Sequence, residues 1–340
     1  MLEGRSRRSG PEPGPFDLRP RPSGPRVFDR RFGDRLGFTL PTFRDFLAIA
    51  SSGGFANPKE QQPFAGQVRR VDRPADLHER PRSARITWGG HASFVVQIGG
   101  LTFLTDPVWS DKIPGGIPRL TGAGVPWESL PPVDGVVLSH NHYDHMDGPT
   151  LKRLPRKTTM FVPARLGDWF RRKGFSDVRE FEWWETEDFG SVDVTMTPCQ
   201  HWSRRGLFDK NKTLWGSWIL SAKRPRKRVF FTGDSGYCHW YKEIGHRVPD
   251  LDAAILPIGA YAPDWFMQKM HMNPEECVRA FQDLGARHLV PSHWGTFSLT
   301  REPFLEPHQR LGQAWQRGGL DREQLWDLAL GESRDIHDRP

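Results

Sequence analysis

Residues 139 to 145 read Ser139-His140-Asn141-His142-Tyr143-Asp144-His145, an H-x-H-x-D-H cluster that follows directly on the apolar run Gly135 to Leu138. Four potential metal ligands within six residues, all at the end of one strand, pack that closely only if something neutralises and orders them. Neutral imidazole together with carboxylate suits zinc, with Fe, Mn or Ni as alternatives. The competing reading is a polar loop whose histidines merely hydrogen-bond, a risk that every motif match carries. Four ligands do not complete two metal sites, so further donors are expected at other strand ends. His201 follows the strand ending in Thr197-Pro198-Cys199-Gln200, Asp234 follows Val229-Phe230-Phe231-Thr232-Gly233, and His293 follows Leu289-Val290-Pro291-Ser292. These are places where function collects on α/β layers. The set then holds five histidines and two aspartates.

Around the cluster the pattern alternates strands with helices. Ser93 to Ile98 and Leu101 to Thr105 flank Gly99-Gly100, a two-residue hairpin signal. Further strands are predicted over residues 158–163, 191–197, 214–221, 228–232, 253–257 and 288–291, and a helical stretch over 164–173. A second helix carries its own start and stop: Asn273 as N-cap, Pro274 at the first position, Glu276 closing a capping box and Gly285 past the end. The class is therefore a layered α/β domain. Phe43 to Ala50 is a short apolar helical pattern that either packs on the domain or docks elsewhere, packing being the simpler reading.

The chain has 340 residues, enough for one large domain or two ordinary ones. It carries 48 Lys and Arg against 41 Asp and Glu, a net charge of +7 that is too small for this length to argue for nucleic acid. Neither a membrane span nor a cleaved secretory signal is expected, since no apolar run is long enough. Cys199, Cys238 and Cys277 form no CxxC pair, so small buried thiols in a cytoplasmic setting are the simplest expectation. Residues 1–30, rich in Arg, Pro and Gly, read as a disordered tail; 31–83 read as an extension packing on the main domain.

Longer stretches carry a resemblance. Residues 87–94 (TWGGHASF), 103–110 (FLTDPVWS), 137–147 (VLSHNHYDHMD), 214–218 (LWGSW), 230–238 (FFTGDSGYC), 257–271 (PIGAYAPDWFMQKMH) and 293–297 (HWGTF) look like the metallo-β-lactamase-fold hydrolases, specifically the N-acyl-phosphatidylethanolamine-hydrolysing phospholipase D family and its bacterial relatives. The resemblance covers residues 84–334, with a short tail at 335–340. It implies a four-layer αββα sandwich with a dinuclear metal site at the sheet edge. His140, His142 and His201 would hold one zinc, Asp144, His145 and His293 the other, and Asp234 would bridge them, with Mn or Fe as substitutes. A bridging carboxylate of this kind holds two cations about 3.5 to 4 Å apart, and their joint charge acidifies a shared water into a nucleophilic hydroxide. Asp144 is also a candidate to orient that hydroxide.

His271, within the matched 257–271 stretch, is a candidate leaving-group acid or phosphate hydrogen-bond donor; otherwise it satisfies backbone at a helix entry. His91 and Asp106 could orient a ligand imidazole or serve ordinary turn bonding. Tyr261, Trp265, Phe266 and Met267 are candidates for an acyl-chain pocket, although an aromatic stripe is as readily core. Residues 111–126 depart from the family pattern, and specificity depends on whether they close over the site. The activity implied is hydrolysis of an N-acylated phospholipid to phosphatidate and an N-acylethanolamine. An acyl or lactone hydrolase and a metal-stabilised binding protein without turnover are the alternatives. The expected partners are a small-molecule or phospholipid substrate and a peripheral contact with the inner membrane surface, without nucleic acid; a homodimer is left open.

Overall fold

The structure is a computed structural model that describes residues 18–22, 26, 28, 31–55, 58–81 and 83–337. In chain order the elements are β1 (Arg19–Pro20), α1 (Phe43–Ser51), α2 (Pro58–Gln61), β2 (Ala84–Gly90), β3 (Ser93–Ile98), β4 (Leu101–Thr105), the small hairpin β5 (Lys112–Ile113) and β6 (Ile117–Pro118), and β7 (Gly135–Val137). Next come α3 (Gly148–Arg153), β8 (Thr159–Pro163), α4 (Gly167–Arg172), β9 (Val178–Phe181), β10 (Glu185–Phe189), β11 (Val192–Thr197), β12 (Ser217–Lys223) and β13 (Arg226–Phe231). The chain closes with α5 (Trp240–Arg247), β14 (Ala253–Pro257), α6 (Asp264–Met267), α7 (Pro274–Leu284), β15 (His288–Ser292), α8 (Glu306–Arg317) and β16 (Ser333–Ile336).

Two seven-stranded sheets result, ordered β16-β2-β3-β4-β7-β8-β9 and β1-β10-β11-β12-β13-β14-β15. Side-chain alternation decides how they stack. Phe94, Val96, Phe103, Val137 and Phe161 point from the first sheet into the main core, against Val194, Met196, Trp218, Leu220 and Phe231 of the second. Their chain neighbours Val95, Leu104, Val136, Met160 and Val162 face the other way, onto Leu151 of α3 and Phe170 of α4. That period of two requires cover on both faces of the sheet. Helices α5, α7 and α8 cover the second sheet through Ile244, Phe281 and Trp315, completing an αββα sandwich. Helix α7 begins and ends where its capping residues place it, with Asn273 and Glu276 bonded reciprocally and Gly285 left-handed.

Several boundaries differ from the sequence reading for local reasons. Arg165 is left-handed, at φ 68, so the helical stretch from residue 164 starts only at Gly167. Leu214 and Gly216 bond the backbones of Ala164 and Ser139, which delays β12 to Ser217. The disordered reading of the tail fails at residues 19–21 and 26: Arg19–Pro20 pairs in parallel with β10, Arg21 meets Glu187, and Arg26 makes a forked contact of 2.8 and 2.6 Å with Glu185. Acidic partners on β10 supply what composition alone does not show; the rest of that tail up to residue 17 lies outside the described residues. In the 31–83 extension, Phe32 enters the core, and Arg301 ties α1 down by donating to the carbonyls of Gly54 (2.6 Å) and Ile49 (2.9 Å). β16 carries the sheet to Ile336, past the expected end at 334. No helix among the described residues is long and apolar enough to cross a membrane.

Candidate metal centre

The carboxyl ends of β7, β11, β13 and β15 meet at one edge of the sandwich, and each delivers donors. The loop after β7 is held open from both sides. The Leu138 carbonyl accepts from the Trp218 indole at 2.8 Å, and the Arg205 guanidinium donates to the carbonyls of Asn141 and Met146 while lying over the Tyr143 ring. Asp234 follows Gly233, whose φ of 69 and lack of a side chain are both needed: a Cβ there would stand 2.2 Å from that of Ser139. His293 is itself left-handed, at φ 60.

All seven predicted ligands converge. His140, His142, His201 and Asp234 form one group of donors within metal-sharing reach; Asp144, His145 and His293 form another, which also includes His91. Asp234 lies between them, with Oδ2 3.0 Å from His145 Nε2 and 3.8 Å from both His140 Nε2 and His201 Nε2, and Oδ1 3.1 Å from His293 Nε2. His142 Nδ1 is 2.8 Å from His140 Nε2 and 3.2 Å from His201 Nε2. Three imidazole nitrogens this close cannot all be satisfied by one shared proton. The Nε2 atoms of His142, His145 and His293 and Oδ1 of Asp234 are moreover buried without hydrogen-bond partners. Buried lone pairs facing one another are what a pair of cations would neutralise, so the residues fit a dinuclear metal site.

Neighbouring groups fix the tautomers. His201 Nδ1 donates to the Met270 carbonyl at 3.0 Å, and His145 Nδ1 to Asp106 Oδ2 at 2.6 Å, which leaves each Nε2 for the centre. Asp106, fully buried, also accepts from the Ser139 N–H at 2.7 Å, and Ser139 Oγ is 2.8 Å from His140 Nδ1. Carboxylate-to-histidine support of this kind sets ligand orientation and basicity. Burial, joined by the neighbouring imidazoles, holds His140 well below the usual histidine range. Burial likewise takes His201 well below that range and His142 to about 4. For His145 burial opposes the charge, but Asp234, Asp144 and Asp106 outweigh it and hold the pKa well above the ordinary value. His293 is raised to about 9, with Asp234 and Asp144 overcoming burial. Burial thus favours neutral imidazole, the ligating form, at His140, His142 and His201, while the carboxylates around His145 and His293 favour positive charge at that half of the centre.

His271 faces the same centre, its Nδ1 buried without a hydrogen bond 3.9 Å from Asp234 Oδ2. Beside it opens a cleft of about 270 Å³ reaching from His142 and His271 outward. Phe46, Phe55, Trp202, Phe266 and Met267 give it apolar walls, and Arg204 and Lys210 add positive charge. Of the four pocket candidates, Phe266 and Met267 line this cleft. Tyr261 does not: its hydroxyl donates to Glu306 at 2.7 Å under the Arg310 guanidinium, deep in the fold. Trp265 points outward, 59 % exposed. The 111–126 segment is stitched to the loop that carries His293, through Leu120 to Thr296, and to β2, through Gly124 to Gly89, and forms no part of the cleft wall. Trp202, Arg204, Lys210 and the α1 side chains were not among the sequence candidates; the apolar spacing in Phe43 to Ala50 is the signal that pointed to α1.

Comparison with known proteins agrees with this geometry. A family described as the beta-lactamase superfamily domain matches residues 102–294. The chain is 36% identical over 272 residues to N-acyl-phosphatidylethanolamine-hydrolyzing phospholipase D 1 of Caenorhabditis elegans, covering 74% of this chain and 76% of that one. It is 34% identical over 261 residues to the mitochondrial N-acyl-phosphatidylethanolamine-hydrolyzing phospholipase D of Saccharomyces cerevisiae, covering 73% of this chain but only 55% of the yeast protein. An uncharacterized protein of Mycobacterium tuberculosis is 40% identical over 237 residues, 66% of this chain and 62% of that one. Among solved structures, a metallo hydrolase from Ignicoccus hospitalis superposes with a TM-score of 0.58 at 23% identity, over 75% of this chain and 99% of that one. An isothiocyanate hydrolase from Delia radicum gut bacteria gives 0.60 at 20% identity, over 74% and 98%. These last two likenesses speak to the fold.

Proposed function

The chain belongs to the metallo-β-lactamase superfamily of metal-dependent hydrolases, and from that premise we propose that it is a phosphodiesterase of the phospholipase D type, using two zinc ions on N-acyl-phosphatidylethanolamine-like lipids. The observation that carries this reading is the cleft: apolar walls of the kind an acyl chain needs run directly into the donor cluster, with Arg204 and Lys210 where an anionic headgroup would lie. The names borne by the nematode and yeast relatives support the same class.

In this reading His140, His142 and His201 hold one cation, Asp144, His145 and His293 the second, and Asp234 is shared. Bound there, the cations would polarise a phosphoryl oxygen and acidify water. The chain's own groups do the rest. Arg204 and Lys210 attract and orient the phosphodiester, Trp202 and Phe266 exclude water from beside it, and His271 offers a ring N–H to a phosphoryl or leaving-group oxygen. Phe43 and Leu47 on α1 and Trp265 on α6 are exposed near the cleft, apolar side chains that would enter a lipid interface. A cytoplasmic protein docked peripherally on the inner membrane surface is part of the same proposal.

Mass spectrometry of products tests it, with zinc-loaded protein acting on N-acyl-phosphatidylethanolamine and Asp234→Asn run alongside. N-acylethanolamine and phosphatidate formed only by the wild type are the expected result. Release of a free fatty acid instead, or no product from protein holding both metals, refutes the phospholipase D assignment.

A further inference from the structure

His91 lies outside the seven ligands, yet its ring stands among them. It occupies the tight turn between β2 and β3 in the left-handed region, at φ 54, which non-glycine residues adopt uncommonly. Three contacts hold it there: the His91 N–H donates to Thr296 Oγ1 at 2.7 Å, and the His91 carbonyl accepts from the Trp88 indole at 3.1 Å and from the His293 N–H at 3.2 Å. The turn is thus clamped to the loop that carries His293. The ring is 1% exposed and lies tilted against the His293 ring, centroids 4.1 Å apart, with Phe297 edge-on behind it. Its Nε2 reaches Asp144 Oδ2 at 3.3 Å, and that same oxygen is 3.4 Å from His293 Nε2 and 3.5 Å from His145 Nε2.

Asp144 is the most exposed donor of its half-site, and the described residues offer its Oδ2 no partner other than these three imidazoles. Two of them, His145 and His293, are to ligate a cation through those Nε2 atoms. Once they do, His91 is the one imidazole left to hold the carboxylate. We propose that His91 is a positioning residue for the second metal: Nε2–H donates to Asp144 Oδ2 and fixes that carboxylate for ligation, so that occupancy of the His145/His293 half-site depends on the β2–β3 turn. Among the described residues His91 makes no side-chain hydrogen bond or ring contact with His140, His142 or His201, which build the first half-site. This inference rests on the two-cation reading of the centre.

The test is titration of metal-free full-length protein with Co²⁺, following the visible absorption of each half-site and the stoichiometry. Wild type is expected to bind two equivalents. His91→Phe fills the ring's space without a donor and should weaken the second equivalent about 10- to 100-fold, with the first unchanged. His91→Gln places an amide N–H within reach of Asp144 and should recover most of that loss. Retention of the first equivalent shows within the same titration that the variant is folded. Should either variant fail to fold, Thr296→Val loosens the same turn without altering the ring, and a several-fold weaker second equivalent is expected. A His91→Phe protein with the wild-type second constant overturns the proposal. A His91→Gln protein as weak as His91→Phe also overturns it, in favour of direct ligation by the imidazole. Wild type that binds a single equivalent would instead overturn the two-cation reading, and this inference with it.

Discussion

Asp106 Oδ2 stands 2.6 Å from His145 Nδ1, so a buried carboxylate decides which nitrogen of that imidazole faces Asp234. The other Asp106 oxygen is committed to the Ser139 N–H. Asp106→Asn must set its amide NH₂ against one of two N–H donors and lose that bond. Metal affinity and turnover are expected to fall about 10- to 100-fold, measured by competition with a chelator of known affinity. Wild-type affinity in this variant would mean that His145 needs no such support.

Gly233→Ala tests the backbone beneath Asp234. Its new Cβ meets Ser139 at 2.2 Å, and its φ of 69 disfavours any L side chain. Left-handed strain of about 1–2 kcal/mol and overpacking of about 1–3 kcal/mol together predict roughly 2–5 kcal/mol of lost stability. Thermal unfolding monitored by circular dichroism should show a drop of several degrees or more. An unchanged midpoint would place Ser139 and Gly233 farther apart than described.

Acid sensitivity should trace in part to Asp327. Burial opposes its charge, but His308 at 3.3 Å, Arg322 at 2.6 Å and Arg69 at 3.2 Å outweigh burial and pull its pKa down to about 2. The unfolded carboxyl titrates near about 3.9. A depressed folded value means that the contribution is complete above about 3.9 and is lost as pH falls from there towards about 2. Asp327→Asn is expected to flatten the denaturant-midpoint profile in that window while lowering stability at neutral pH. A variant with the wild-type slope would move the acid response to other carboxylates.

The cleft wall makes a kinetic prediction. Phe46 packs edge-on against Phe266 at 5.1 Å and lines the cleft, still 42% exposed. With the proposed N-acylated phospholipid as substrate, Phe46→Ala should remove roughly 1 kcal/mol of apolar contact, about a fivefold rise in KM with little change in kcat. Loss confined to kcat would place Phe46 at the reacting groups instead.

How much could be read from the chain follows from where each signal is local. Asn273, Glu276 and Gly285 bound α7 through contacts within a few residues, and Gly99-Gly100 turns β3 into β4 by backbone preference alone, so both were legible. The ligands were legible because they follow apolar strands. Strands β9 and β10 were not: over residues 178–189 charged side chains interrupt the apolar alternation, and their partners lie elsewhere in the fold, Arg179 meeting Glu187 at 2.5 Å between the two sheets and Arg21 reaching the same carboxylate. Asp106 and His145 lie 39 positions apart, and nothing in either neighbourhood announces the other. Tyr261 and Phe266 looked equivalent as aromatics; Glu306, distant in the chain, draws one inward and leaves the other on the cleft.

Arg301 makes the fastening of α1 to the domain a separable feature. Its guanidinium holds Ile49, Ser52 and Gly54, and through them the Phe46 and Phe55 side of the cleft, while the metal donors rest on strand ends of the two sheets. Selection of the substrate and reaction upon it therefore sit on different parts of the chain. Changes at the latch or in α1 can shorten, widen or tilt the cleft without moving a metal donor, so the range of substrates accepted can diverge among relatives, or be redesigned, while the hydrolytic centre stays the same.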